Sequence, residues 1–221
     1  MKTIYVPCTS KKDITPVLKK TIKKLSNYEK TALITTAQHL NELDHAKKYL
    51  REHGIETIIG GQILGCNTTN LKKIQDDVDA YLYIGSGKFH PTAFLGIEKP
   101  VIIANPYTLE VTELTKEERT RYLKKQKARI IRAINAQDFG ILISTKTGQQ
   151  NIKRALELKN KLENAGKKAI LFTGEEINPS RLIGYKIDAW INTACPRITE
   201  DEFDKPILNP DELETMLEIM K

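Results

Sequence analysis

The chain has 221 residues, 40% of them hydrophobic and 29% charged, with a formal net charge of +7 and three cysteines. That length carries a sizeable core without disulfide or metal staples, and the composition excludes a disordered or low-complexity chain. Its apolar runs, such as Val101 to Ala104 and Ala169 to Phe172, are strand-sized and exclude a membrane-spanning helix.

The chain opens on Thr3-Ile4-Tyr5-Val6, read as a first strand with no signal segment before it, so a cytoplasmic protein is expected. Helical periodicity over 13–27 leads into a β-type run at 31–35. The pattern over 38–53 is helical, with an apolar stripe of Leu40, Leu43, Ala46 and Leu50 that Gly54 is placed to end. Strands at 55–59, 80–84 and 100–104 follow, with a helix over 68–76 between the first two. A long, highly charged helix is expected over 116–136, then strands at 140–144, 168–172, 188–192 and 206–208 and helices over 149–165 and 210–220. This alternation predicts an α/β fold with parallel sheets built from βαβ units. The lysines at 19, 20, 23, 24, 124, 125 and 127 read as solvated helix faces or as an attraction for an anionic partner such as RNA. Zinc-finger spacing and basic-aromatic motifs are missing from the sequence, so direct nucleic-acid binding is not expected.

Internal repetition sharpens the picture. Leu33-Ile34-Thr35-Thr36 resembles Leu142-Ile143-Ser144-Thr145, and Val78-Asp79-Ala80 resembles Ile187-Asp188-Ala189, both 109 positions apart. Lys99-Pro100-Val101-Ile102 parallels Lys205-Pro206-Ile207-Leu208 at a slightly shorter offset. Two tandem related domains are therefore expected, each a parallel sheet with flanking helices. Residues 1–127 form the first, ending in a linker helix, and 128–221 the second.

In parallel α/β sheets functional groups gather beyond the carboxyl ends of the strands. Cys8, Cys66 and Cys195 all fall at such places. Isolated cysteines are commonly small buried hydrophobes, and no CxxC joins these. Gly65-Cys66-Asn67-Thr68 and Ala194-Cys195-Pro196-Arg197 nevertheless set each thiol in a turn among small neighbours, with Arg197 a cation that favours the metal-binding thiolate. Ser144-Thr145-Lys146-Thr147-Gly148-Gln149-Gln150 is a polar strand-to-helix turn suited to a carboxylate or phosphate, unless Thr145 or Thr147 simply caps the helix. It lacks the glycine pattern of a P-loop. His90, in Gly87-Lys88-Phe89-His90-Pro91, is a candidate to orient a substrate or donate a proton, or a helix-start residue. His39, His45 and His53 read as surface or packing residues.

Taken in order, Tyr5-Val6-Pro7, Ile63-Leu64-Gly65-Cys66, Gly87-Lys88-Phe89-His90-Pro91, Ser144-Thr145-Lys146-Thr147-Gly148-Gln149 and Asn192-Thr193-Ala194-Cys195-Pro196-Arg197-Ile198 resemble the diphthamide synthases, the 2-(3-amino-3-carboxypropyl)histidine synthases. The resemblance implies a [4Fe-4S] cluster held by three cysteines from three similar α/β domains, with S-adenosylmethionine at the open iron. The implied reaction cleaves that cofactor to a 3-amino-3-carboxypropyl radical and adds it to a histidine of translation elongation factor 2. It also implies a homodimer, or a heterodimer with a paralogue.

By motif match Cys66 and Cys195 are the metal ligands of the family's middle and last domains. Ser144, Thr145, Lys146, Thr147, Gly148, Gln149 and His90 are the cofactor-binding candidates. The sequence starts where the middle domain starts, so a form lacking the first domain and its cysteine is expected. The third thiolate would then come from a partner chain or from Cys8. The alternatives are a non-catalytic scaffold or accessory subunit, and a binder of another small anionic ligand.

Overall fold

Thr31–Thr35 (β1) is buried along its whole length because it lies inside a sheet covered on both faces. The computed structural model describes residues 4, 6, 8–63, 69–87 and 89–220. β1 pairs in parallel with Thr57–Gln62 (β2) on one side and Ala80–Ile84 (β3) on the other, and β3 pairs in parallel with Val101–Asn105 (β4). Leu33, Leu82, Ile84, Ile102 and Ala104 face Thr15–Leu25 (α1) and Leu43–Glu52 (α2). Ala32, Ile34, Tyr81, Tyr83, Val101 and Ile103 face the opposite way, onto Leu71 of Thr69–Ile74 (α3) and Phe94. A fifth strand, Glu110–Glu113 (β5), returns antiparallel along β4 after a turn in which Leu109 takes φ 56°. The sequence reading did not place it, and it makes this sheet mixed.

The chain divides into two compact units, Met1–Tyr122 and Leu123–Lys221, within the helix Lys116–Ala133 (α4). In the second unit Asp138–Ser144 (β6) pairs in parallel with Lys168–Gly174 (β7) and Ala189–Asn192 (β8), and β8 with Ile207–Leu208 (β9). One face packs on Ile130 and Ala133 of α4, Ala155, Leu158 and Leu162 of Ile152–Asn164 (α5), and Leu213 and Met216 of Pro210–Ile219 (α7). The other carries Leu142, Trp190 and Ile207, with Phe172 and Leu182, the latter from the short helix Pro179–Leu182 (α6). Gly140 belongs to this face, where a Cβ would stand 2.2 Å from the Trp190 ring.

The two sheets share one strand order, β2-β1-β3-β4 and β7-β6-β8-β9. Each is braced by the same aspartate. Asp79 accepts from the Lys30 amide at 3.0 Å, and Asp188 accepts from the Gln137 and Asp138 amides at 3.0 Å each. The register refines the sequence repeat. Ala80 pairs with Thr31 where Ala189 pairs with Phe139, so the first strands are 108 positions apart while the third are 109. A one-residue difference exchanges the two faces of a strand. Leu33 is thus equivalent to Ile141, not to the Leu142 that the sequence similarity aligns with it.

The expected strand at 3–6 lies partly outside the described residues, and Ile4 and Val6, which are described, are exposed and in no strand. The expected helix over 38–53 is broken into a 3-10 segment, Ala37–Glu42, and α2. Among the described residues no helix is long and apolar enough to cross a membrane.

Candidate functional site

At the carboxyl end of the second sheet an open cleft of about 380 Å³ is lined by Ser144, Lys146, Gln149, Glu175, Ile177 and Cys195, among others. Three strands build it. β6 ends at Ser144, β7 at Gly174 and β8 at Asn192, and the turn after each contributes to the wall. The Thr145 amide donates to the Gly174 carbonyl at 3.0 Å, tying the first turn to the second. The Lys146 amide donates to Ser144 Oγ at 3.1 Å and the Gln149 amide to the Lys146 carbonyl at 3.0 Å, while Gly148 takes φ +81°. This left-handed residue reverses the chain ahead of α5. The cap of α5 is Asn151, whose side chain accepts from the Arg154 amide at 3.3 Å. Thr145 and Thr147 therefore do not cap it, which corrects the capping alternative. Lys146 and Gln149 are left exposed at the cleft.

Cys195 is a free, half-buried thiol immediately before the 3-10 turn Pro196–Glu200. A buried amide network holds its backbone. Asn192 is fully buried, donates from Nδ2 to the Cys195 carbonyl at 2.8 Å and to Asn209 Oδ1 at 2.9 Å, and accepts at Oδ1 from the Ala194 amide at 3.1 Å. Asn209 in turn donates to the Pro196 carbonyl at 3.1 Å and shares a capping box with Glu212 at the start of α7. Glu212 is 1% exposed and pairs with Arg129 of α4. Sequence reasoning missed Asn192, Asn209 and Glu212 as supports of this site. The signals were present: an asparagine inside the apolar strand Ala189–Asn192, and the Asn-Pro-x-Glu pattern at a helix start. Arg197, expected to favour the thiolate, forms an ion pair with Glu200 at 3.0 Å, so its charge is shared with a carboxylate.

The first unit holds the remaining candidates. Cys66, Gly65 and Lys88 lie outside the described residues. Cys8 is exposed, two residues before Ser10, whose amide donates to the Gln38 carbonyl at 2.8 Å beyond the end of β1 and whose Oγ accepts from the Tyr107 hydroxyl at 2.9 Å. His90 precedes the one-turn helix Pro91–Phe94, its ring 6.4 Å from that of Tyr83. Burial raises the Tyr83 phenol to about 12. His39 is buried beside Tyr107, and burial pushes its imidazole below the ordinary value. His45 Nε2 lies 3.0 Å from Thr15 Oγ1 and His53 Nδ1 2.8 Å from the Tyr49 carbonyl, so the three histidines have separate partners.

Over residues 1–221 the sequence matches the family described as "Putative diphthamide synthesis protein". The chain belongs to this family. The chain is 32% identical to the 2-(3-amino-3-carboxypropyl)histidine synthase of Pyrococcus horikoshii, across 97% of this chain and 65% of that relative. It is 30% identical to subunit 1 of the synthase of that name from Yarrowia lipolytica, across 99% of this chain and 52% of the relative. The crystal structure of Dph2 from Pyrococcus horikoshii with a 4Fe-4S cluster superposes with a TM-score of 0.82 at 32% identity, covering 96% of this chain and 64% of that one. The chain therefore spans between about half and 65% of the length of these relatives.

Of the two expected metal ligands, only Cys195 lies among the described residues. Cys195 lines an open cleft at a strand end, with the soft donor that an iron–sulfur centre takes. Among the described residues, which do not include Cys66, no group of three His, Cys, Asp or Glu side chains is gathered to hold a metal.

Proposed function

We propose that this chain carries out, with a second chain, the [4Fe-4S]- and S-adenosylmethionine-dependent transfer of a 3-amino-3-carboxypropyl group to a histidine of translation elongation factor 2. The reading rests on one observation: Cys195 and the Ser144–Gln149 turn share a cleft, in a chain that matches the family from end to end. The name of the relatives, 2-(3-amino-3-carboxypropyl)histidine synthase, supports a transfer of that group to histidine, and the 4Fe-4S cluster of the related Pyrococcus structure supports an iron–sulfur cofactor. In this proposal Cys66 and Cys195 hold iron, and the third thiolate comes from a partner chain or from Cys8. The cluster, when bound, supplies the electron that breaks the carbon–sulfur bond of S-adenosylmethionine.

The chain's own part is binding and orientation. Lys146 and Gln149 take the carboxylate of the aminocarboxypropyl arm, and the buried Asn192 keeps the Cys195 turn in one geometry. His90, in the first domain, residues 1–127, is a further cofactor-binding residue of this proposal, beside the Cys195 cleft of the second, residues 128–221. The setting is a cytoplasmic dimer, formed with a second copy or with a paralogue.

Anaerobic incubation of iron-loaded protein with S-adenosylmethionine and dithionite tests this. Release of 5′-methylthioadenosine is expected, lost in Cys195→Ala. In Lys146→Ala half-saturation rises roughly five-fold, the effect of one exposed charge-assisted hydrogen bond of about 1 kcal/mol. No release, with or without a paralogous chain, contradicts the proposal. Binding of small dicarboxylates or phosphates that depends on Lys146, without any cleavage, would instead support an anion-binding role for the same turn.

A further inference from the structure

A cavity of about 540 Å³ lies at the amino end of the first sheet, where Lys30 leads into β1 and Glu56 into β2. Lys30, Lys47, Arg51, Gly54, Glu56 and Thr57 are in its wall, and every residue of that wall belongs to the first unit. None of the residues assigned to the proposed function takes part in it. Three positive side chains meet one carboxylate here, a net of +2. Lys30 is paired with Glu56 at 3.7 Å. Lys47 and Arg51, one turn apart on α2, enter no ion pair among the described residues, although like charges at that spacing destabilise a helix. The carboxyl end of α2 accounts for Arg51, since a cation there complements the helix dipole. It does not account for Lys47, a turn earlier, or for Lys30.

The wall holds a second irregularity. Thr57 is 6% exposed and its Oγ1 has no hydrogen-bond partner. Thr31, its register partner on β1, is fully buried with Oγ1 unpartnered too. Buried polar groups are nearly always hydrogen-bonded, so an orphaned hydroxyl beside a basic cavity points to a partner that the protein does not itself provide. Thr57 can reach such a partner by rotation about Cα–Cβ, which exchanges its methyl and hydroxyl at the wall.

We infer that this cavity binds a doubly charged phosphate, the terminal group of a phosphorylated small molecule. The guanidinium of Arg51 offers paired donors to two phosphate oxygens, Lys47 and Lys30 supply point charges, and the Thr57 hydroxyl a further donor. A net charge of +2 matches a dianion better than a carboxylate or a phosphodiester, each of which carries a single negative charge. The inference goes beyond the proposed function and is independent of it, since neither iron nor Cys195 enters it.

Isothermal titration calorimetry of the full, iron-free chain with methyl phosphate, at low salt and about one pH unit above the second phosphate pKa of about 6, tests it. Binding with a Kd of about 1 mM or below is expected. Arg51→Ala and Lys47→Ala each weaken it about ten-fold, and dimethyl phosphate, a monoanion, binds about ten-fold more weakly than methyl phosphate. Lys23→Ala, at an exposed lysine of α1, is the control and leaves binding unchanged. Thr57→Val keeps the side chain's shape but removes the hydroxyl. It is expected to weaken binding about three-fold without lowering the melting temperature of the unliganded protein, because no hydrogen bond within the protein is lost. Far-ultraviolet circular dichroism confirms that the variants stay folded. No binding of methyl phosphate overturns the inference, as does dimethyl phosphate binding equally well. Binding that Lys146→Ala abolishes and Arg51→Ala leaves intact places the anion in the Cys195 cleft and overturns it too.

Discussion

Replacing Asn192 by alanine removes three hydrogen bonds at once: two donated by Nδ2, to the Cys195 carbonyl and to Asn209, and one accepted from the Ala194 amide. A buried hydrogen bond contributes about 1 kcal/mol net, so the loss is about 3 kcal/mol. That is roughly a 150-fold fall in the folding equilibrium constant. For a protein of this length it corresponds to a melting temperature lower by roughly 6–12 °C. Thermal unfolding of the iron-free protein measures it. Because the Cys195 carbonyl loses a donor, the turn also loosens, and iodoacetamide is expected to alkylate Cys195 faster in the variant. A stability loss under about 1 kcal/mol together with an unchanged alkylation rate would refute the argument that this amide network fixes the Cys195 turn.

Further expectations rest on particular contacts. Gly140→Ala forces a methyl to within 2.2 Å of the Trp190 ring and destabilises by about 2–3 kcal/mol, whereas Gly148→Ala, strained only by φ +81°, costs about 1 kcal/mol; urea denaturation compares them. Glu212→Gln keeps the helix cap but leaves Arg129, 15% exposed, without its counter-charge, and is expected to cost about 2 kcal/mol, also by urea denaturation. The amides of Asp138 and Gln137 hold the Asp188 carboxyl below the usual aspartate range. A depressed folded-state value stabilises above the unfolded value of about 3.9 and is lost as pH falls through the folded one. The stability gap between wild type and Asp188→Asn should therefore be constant from pH 6 to 8 and close below about pH 4.

The sequence revealed the strands best where they are apolar and buried. Thr31–Thr35 and Ala80–Ile84 fall at the expected positions, because central strands of a covered sheet read as continuous β-type runs. β5 escaped because Glu-Val-Thr-Glu is short and charged, and its pairing comes from the Leu109 turn and the edge of β4 rather than from its own pattern. The duplication was legible from its Asp-Ala strands. Its true register at the first strand was not, since similar residues occur on both faces and only pairing distinguishes 108 from 109.

At the site, the sequence brought together Ser144–Gln149 and Cys195 through their strand ends. It could not show that Asn151 caps α5 or that Glu200 pairs with Arg197, because both depend on where loops close in space.

The account stands most directly on whether Cys66 and Cys195 bind iron. Anaerobic reconstitution of wild type, Cys8→Ala, Cys66→Ala and Cys195→Ala, alone and with a paralogous chain, followed by iron and sulfide determination and electron paramagnetic resonance, measures this. The account predicts about four irons per cluster in the wild type, loss of the cluster signal in Cys66→Ala and Cys195→Ala, and a Cys8→Ala result that tells whether the third thiolate is internal or borrowed. A cluster that survives both the Cys66 and Cys195 substitutions, or none in the wild type under any condition, would contradict it.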